Sequence, residues 1–181
     1  NDAVMAFDKV IMQAGGIGWG KRSQALKEKP QKGDKIVVLG GDNYRIGMGG
    51  GAVSSVNTGD TNRTIELNAV QRSNPEMQKR AANVIRACME MDETPICLIH
   101  DHGAGGHFNC LSELLEDAGG VIDIDKLPVG DETLSVKEIV GNESQERMGL
   151  VVPADKIDLV AAIAERERSP MFVVGTVTGD G

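Results

Sequence analysis

Short runs of apolar residues, many of them β-branched, recur along the chain and predict the strands of a sheet. The clearest run is Lys35–Leu39, which ends at a pair of glycines. Residues 121–125 alternate between polar and apolar, as a strand at a sheet edge does. The predicted strands cover residues 10–12, 35–39, 95–100, 121–125, 148–152 and 171–177.

Helical patterns lie between these strands. Asn74 and Pro75 predict a helix start, because Asn is favoured as the N-cap and Pro at the first helical position; that helix should end near Asp92. A second helix should bury one stripe of apolar side chains, namely Phe108, Leu111, Leu114 and Leu115. We also predict a short helix over residues 133–140 and an amphipathic helix over residues 153–166.

The alternation of strands and helices is incomplete, since residues 61–70 and a long glycine-rich loop interrupt it. We therefore predict an α/β protein of the mixed α+β kind, with helices packed on a mixed sheet, rather than a purely parallel doubly wound fold. The chain has 181 residues, 40% of them hydrophobic, which is enough for one core. We expect a single domain covering residues 1–181.

Composition narrows the functional classes. No apolar run is long enough to span a bilayer, and the first residues do not resemble a signal peptide, so we expect no membrane partner and a cytoplasmic location. The net charge of -8 opposes binding to nucleic acid. The three cysteines suggest neither a disulfide framework nor a zinc site. Because the chain does not begin with Met, we expect an excised fragment of a longer protein.

Glycine is enriched and clustered, with 23 residues in the chain. The sharpest cluster follows a predicted strand: Asp101 is followed by His102 and then by Gly103, Ala104, Gly105 and Gly106. A carboxylate at a strand end supplies the hard oxygen that magnesium prefers, and glycine backbone N–H groups suit a phosphate. Asp101 is therefore a candidate metal ligand, although an Asp that only caps a glycine turn would have the same sequence.

A second polar stretch contains Glu138 and Asn142. If the short helix continues far enough, these two side chains lie four residues apart on one face, where they could share an ion with Asp101. The spacing is equally compatible with a solvated turn between a helix and a strand.

Other motifs are weaker. Gly47, Gly49 and Ala52 fit a loose dinucleotide-binding pattern, but they do not directly follow a strand and lack the expected acidic partner. No Walker-type phosphate loop and no nucleophile elbow is present. The three histidines, His100, His102 and His107, suggest a zinc site only weakly, because the glycines interrupt the strand and neither Cys97 nor Cys110 has ligand spacing to them.

Four motifs in order resemble the large, single-chain form of the phosphoribosylformylglycinamidine synthase family. They are the glycine-rich segment 40–52, the segment 70–77 with its Asn-Pro-Glu-Met helix start, the segment 100–106 and the segment 142–147. Segments 14–18 and 166–168 extend the resemblance over nearly the whole chain.

The resemblance implies a three-layer domain with a mixed sheet, like the C-terminal domain of aminoimidazole ribonucleotide synthetase. It would be the C-terminal half of the first synthetase module. The whole enzyme would use ATP, magnesium and glutamine to convert formylglycinamide ribonucleotide into formylglycinamidine ribonucleotide. Its ATP-binding half and its glutaminase domain would come from elsewhere in the protein.

The resemblance also implies roles for particular residues. The implied magnesium ligands are Asp101, Glu138 and Asn142. The glycine clusters themselves supply the candidate contacts to nucleotide phosphate, of ATP or ADP: Gly103, Ala104, Gly105, Gly106, Gly49 and Gly50. The implied substrate contacts are Glu143, Ser144 and Gln145. Two alternatives remain open: a scaffold domain that holds a structural nucleotide, and a related ATP-using synthetase such as selenophosphate synthetase.

Overall fold

The computed structural model describes residues 15–44, 74–143 and 146–181. Within these ranges the strands are β1 (Lys35–Leu39), β2 (Leu98–Asp101), β3 (Gly120–Ile122), β4 (Met148–Val152) and β5 (Met171–Val177). The α-helices are α1 (Pro75–Glu90), α2 (Gly106–Leu115), α3 (Val136–Gly141) and α4 (Ile157–Arg166). Short 3-10 turns cover Arg22–Gln24, Ile124–Lys126 and Ala154–Lys156. The strand predicted at residues 10–12 lies outside the described residues.

The five strands form one sheet in the order β2-β4-β1-β5-β3, and the pairings between neighbouring strands are all antiparallel. The sequence favoured a mixed sheet, and in the described part of the chain the one parallel pairing is an isolated bridge between Asn43 and Val129. No two of these strands that follow each other in the chain are neighbours in the sheet. Strand direction therefore depends on long connections, which the periodicity of single segments does not reveal.

Helices cover both faces of the sheet, which confirms the α+β class and the three layers. Ile36 and Val38 of β1 face the layer of α2, whereas Val37 and Leu39 face the layer of α1 and α4. All four side chains are fully buried. A strand that is covered on both faces reads as a continuous apolar run, which is why β1 was predicted with the right bounds.

Local capping sets the starts of α1 and α3. The Asn74 side chain accepts a hydrogen bond from the backbone N–H of Met77, and Pro75 occupies the first turn, as predicted. At α3, the Ser135 and Glu138 side chains each bond the other residue's backbone N–H, which forms a capping box. Both helices therefore begin where the sequence supplies polar caps.

Three predictions need correction. The strand expected over residues 121–125 is Gly120–Ile122, and a 3-10 turn follows it at Ile124–Lys126. Phe108 was expected in the buried stripe of α2, but it is 72% exposed. The centre of the buried face runs through His107, Cys110 and Leu114, and Phe108 lies at its rim in the first turn. The strand predicted at residues 95–100 is also displaced to Leu98–Asp101, since Pro95 has no N–H to donate to a sheet.

Candidate functional site

Asp101 is the last residue of β2, where it pairs with Met148 of β4. Its side chain is 72% exposed and is therefore accessible to a bound ion. The chain then turns sharply into α2, with Gly105 and Gly106 at φ 83° and 58°, values that favour glycine. A Cβ on Gly103 would lie 3.2 Å from Oδ2 of Asp101, so the carboxylate leans over the turn.

The turn packs directly against the end of α3. A Cβ on Gly106 would lie 2.4 Å from the backbone oxygen of Asn142, which only glycine permits. The N–H of Gly106 donates to the oxygen of Gly103 at 3.1 Å, within the turn itself. In this conformation the Gly106 N–H is therefore not offered to a phosphate, although the sequence grouped it with Gly103, Ala104 and Gly105.

Glu138 and Asn142 occupy opposite ends of α3 instead of one face of a longer helix. Oε2 of Glu138 folds back and accepts hydrogen bonds from the N–H of Ser135 at 2.8 Å and from its hydroxyl at 2.7 Å. The helix ends at Gly141, so Asn142 is its C-cap. Asn142 is buried, and its Nδ2 donates to the backbone oxygen of Tyr44.

A buried arginine connects these elements. Arg147 has no exposed surface, and its Nη2 donates to the backbone oxygen of Asn142 at 2.7 Å and to Oδ1 of the same residue at 3.1 Å. Its Nη1 donates to Oδ1 of Asn43 and lies 2.8 Å from Nε2 of His107. Four segments distant in sequence, from the ends of β1 and α3, from α2 and from the start of β4, therefore meet at one guanidinium.

Two histidines extend this buried group. His102 Nε2 lies 2.9 Å from His107 Nδ1, and the rings meet edge to face with centroids 4.7 Å apart. Burial and the charge of Arg147 lower the pKa of His102 to about 3, and the same two causes hold the pKa of His107 well below its usual range. Both rings are therefore neutral at physiological pH.

His100 belongs to a different environment. Its Nδ1 lies 2.8 Å from the backbone oxygen of Asp101, and its Nε2 lies 2.5 Å from Oε2 of Glu113 on α2. The hydrogen bond to Asp101 and the charge of Glu113 raise the pKa of His100. The three histidines thus do not form one cluster, and in the described ranges no three His, Cys, Asp or Glu side chains converge as metal ligands.

The remaining candidates divide between described and undescribed residues. Glu143 is buried beside Asn142 in the sequence. Gly49, Gly50, Ser144 and Gln145 lie outside the described residues. Sequence reasoning missed the fully buried Asn43 and did not single out Arg147; the only available signal was an arginine directly before an apolar strand.

Solved structures of other proteins share this fold. Thiamine-monophosphate kinase from Stenotrophomonas maltophilia matches 88% of this chain and 52% of its own chain, with a TM-score of 0.55 and 20% identity, which shows the fold alone. A more similar structure, T. maritima PurL complexed with FGAR, has a TM-score of 0.73 and 29% identity, and the match covers 85% of this chain and 25% of that chain.

The sequence identifies the family. The profile described as AIR synthase related protein, C-terminal domain, matches residues 31–181, so the chain belongs to this family. The Homo sapiens phosphoribosylformylglycinamidine synthase is 45% identical over 174 residues, and the match covers 95% of this chain and 13% of that protein. The probable phosphoribosylformylglycinamidine synthase, chloroplastic/mitochondrial, of Arabidopsis thaliana is 44% identical over 174 residues. That match covers 96% of this chain and 12% of the Arabidopsis protein. The resemblance to this synthase family is therefore confirmed.

Two further structures concern nucleotides. T. maritima PurL complexed with ADP and the same protein complexed with ATP have TM-scores of 0.63 and 0.64 and identities of 25% and 26%. Each match covers 85% of this chain, and 22% and 23% of those chains.

In the part of this chain that the structure describes, no helix is both long and apolar enough to cross a membrane.

Proposed function

We propose that the chain is a domain of a longer phosphoribosylformylglycinamidine synthase. That enzyme would be an ATP-dependent, glutamine-using carbon–nitrogen ligase that makes formylglycinamidine ribonucleotide in purine biosynthesis. The human and Arabidopsis relatives with this name match nearly the whole chain at 45% and 44% identity. The chain spans only 12% to 13% of their length, so the activity would be a property of the longer protein.

Within that protein, the chain would be one domain over residues 1–181 and the C-terminal half of the first synthetase module. Its partners would be the ATP-binding half of the module and a glutaminase domain, with small nucleotide substrates and neither nucleic acid nor membrane. A cytoplasmic location also stays a prediction. The family description as a C-terminal domain supports this position in the module.

The structural observation that carries the site is the contact between Gly106 and Asn142. It brings the strand-end turn of Asp101 against the end of α3, although 36 residues separate the two contacting glycine and asparagine positions in the sequence. The donor set of Asp101, Glu138 and Asn142 consists of two carboxylates and one amide oxygen, which suits magnesium. An amide oxygen has two lone pairs, so the bond from Arg147 to Asn142 does not by itself exclude coordination.

The phosphate contacts would come from the backbone of Gly103, Ala104 and Gly105, where the chain enters α2. The capping residue of α2 is Gly105, which offers no side-chain oxygen to the first N–H groups of the helix. Gly106 would act through its conformation, since its own N–H is used within the turn. Gly49 and Gly50 would add phosphate contacts, and Glu143, Ser144 and Gln145 would contact the substrate.

Bound magnesium and nucleotide would serve either of two roles. In the catalytic role, ATP would phosphorylate the oxygen of the substrate's glycinamide amide with release of ADP, and ammonia from glutamine would then displace the phosphate to give the amidine. In the scaffold role, the same residues hold a nucleotide that is not turned over and stabilise the assembly of domains. The buried hydrogen bonds of Asn142 suit either role, because a prearranged ligand binds tightly in both.

The test uses the full-length enzyme and isothermal titration with magnesium–ADP, together with steady-state turnover. Asp101→Asn removes the strand-end charge. Glu138→Gln removes the second charge but keeps the capping box, because Gln is also accepted at that position. Asp92→Asn is the matched control, since its side chain is fully exposed at the distant end of α1.

We expect both site variants to weaken magnesium–ADP binding by about tenfold or more, as loss of a charged ligand would, and the control to bind like wild type. Loss of turnover together with loss of binding supports the catalytic role. Loss of nucleotide retention with turnover preserved supports the scaffold role. Unchanged binding and turnover in both site variants would contradict the metal assignment.

A further inference from the structure

Arg147 is the centre of a buried polar group that we call the arginine cluster: Asn43, His102, His107, Asn142 and Arg147. All five side chains are at most 1% exposed. A guanidinium is costly to bury unless its N–H groups find acceptors, so a fully buried arginine needs a specific reason. The two sides of this guanidinium contact different partners, and the difference indicates what the cluster does.

The Nη2 side holds Asn142. It donates to the backbone oxygen at 2.7 Å and to Oδ1 at 3.1 Å, so one nitrogen fixes both the end of α3 and the side-chain amide. The other end of that amide, Nδ2, donates to the oxygen of Tyr44. Because a donor meets Oδ1 and an acceptor meets Nδ2, the amide cannot be flipped without losing both bonds.

The Nη1 side meets Oδ1 of Asn43 and Nε2 of His107. The Nδ2 of Asn43 also approaches this Nε2, at 3.2 Å. Two donors aimed at one ring nitrogen require that nitrogen to be the acceptor, so the proton of His107 is on Nδ1. That proton is donated to His102 Nε2 at 2.9 Å, which places the proton of His102 on its own Nδ1.

The histidine pair is therefore a chain of neutral acceptors with one proton arrangement. The two ring nitrogens that face each other, Nδ1 of His107 and Nε2 of His102, share one hydrogen bond. The other ring nitrogen of His107, Nε2, presents its lone pair to Arg147. A cationic His107 would instead present an N–H to the guanidinium, and two positive charges would meet in a buried site. The pair thus holds Nη1 in place without adding charge.

We propose that Arg147 is a positioning residue for Asn142, with Asn43 and His107 as its fixed acceptors and His102 orienting the ring of His107. This inference rests on the proposed function, in which Asn142 provides an oxygen to magnesium. The planar fork of arginine spans the distance from His107 to Asn142, and the compact ammonium of lysine does not reproduce both sides. Residues that orient metal ligands typically contribute about 10-fold to 100-fold in metal affinity.

The test measures magnesium–ADP binding by isothermal titration and ligand-free thermal unfolding, on the full-length protein. Arg147→Lys keeps the charge but loses the fork. Arg147→Gln removes the charge, so it leaves no unpaired cation in the core if the lysine variant does not fold. Val84→Ala is the stability control, because Val84 is fully buried in the opposite layer and does not belong to the cluster.

We expect the arginine variants to bind magnesium–ADP about tenfold more weakly, while Val84→Ala lowers the melting temperature and binds like wild type. The magnesium concentration for half-maximal turnover should rise in the arginine variants, with turnover largely restored at saturating magnesium. If the folded arginine variants bind like wild type while Asp101→Asn binds weakly, the positioning role is wrong and the proposed function stands. If Asp101→Asn also binds like wild type, both are wrong.

Discussion

Gly106 and Asn142 touch through their backbones: a Cβ on the glycine would lie 2.4 Å from the oxygen of the asparagine. Gly106 also has a φ of 58°, which a residue with a side chain rarely adopts. We expect Gly106→Ala to lower the free energy of unfolding by at least about 2 kcal/mol, from backbone strain and the clash together. Urea unfolding of the 181-residue chain measures this.

Gly141→Ala is the matched control for Gly106→Ala. Gly141 ends α3, has no positive φ, and has no atom within 4 Å of a Cβ built on it. Gly141→Ala should be neutral or stabilise by up to about 1 kcal/mol, because alanine favours the helix. A similar loss of stability in both variants would show that the contact with Asn142 is not the cause.

The neutral histidine pair predicts that the chain is destabilised by mild acid. Below pH 6.5 the unfolded state binds a proton at each of His102 and His107, whereas the folded state resists protonation because burial lowers both pKa values. Stability is therefore complete above about pH 6.5 and falls as the pH decreases toward 3. Between pH 7.5 and 5.5 the two residues together should cost about 3 kcal/mol.

The measurement is urea unfolding against pH, for wild type and for a variant with both His102 and His107 changed to Gln. His100 acts with the opposite sign, since its pKa is raised by its bonds to Asp101 and Glu113, and it is present in both proteins. The difference between the two curves therefore isolates the buried pair. Parallel curves would mean that the two rings take up protons in the folded chain as readily as in the unfolded chain, which would contradict the lowered pKa values.

The capping box of α3 predicts a measurable local contribution. The Ser135 hydroxyl donates to Oε2 of Glu138 and accepts from its backbone N–H. We expect Ser135→Ala to cost about 1 kcal/mol, and Ser135→Asp to cost less, because Asp is also a good N-cap. If the alanine variant unfolds at the same urea concentration as wild type, the short helix is held by packing alone.

The three cysteines are predicted to react slowly in the folded chain. Burial raises the pKa of Cys97 to about 11 and that of Cys110 to about 12, and it also raises the pKa of Cys88. At pH 8 the thiolate of Cys97 is therefore a small fraction of the total. We expect its reaction with a disulfide reagent to be about 100-fold slower than in the unfolded chain. A fast reaction of native Cys97 would contradict this.

The sequence predicted best where one segment contains its own explanation. β1, β4 and β5 have the predicted bounds, and β1 and β4 were the clearest because strands buried on both faces read as continuous apolar runs. The start of α1 was predicted because Asn74 and Pro75 act locally. The order of the strands was not predictable in this way, since consecutive strands are separated in the sheet and only tertiary packing brings the neighbours together.

In the candidate site, too, some residues were recognisable from a single segment and others were brought together only by tertiary packing. Asp101 at the end of β2 and the following glycines were recognisable from a single segment. The bond between Arg147 and Asn43 joins residues 104 positions apart, and no local pattern marks it. Glu138 and Asn142 were expected on one face because the helix was assumed to continue, but it ends at Gly141 and its C-cap is held by the arginine.

The two layers of helices differ in whether they hold candidate site residues. The described candidate residues all lie on the strand-end turn, on α3 or directly after it, whereas α1 and α4 contribute none and only complete the core that contains Val84 and Val160. Substitutions on the outer surface of α1 and α4 are therefore expected to affect contacts with neighbouring domains rather than the binding of magnesium–ADP.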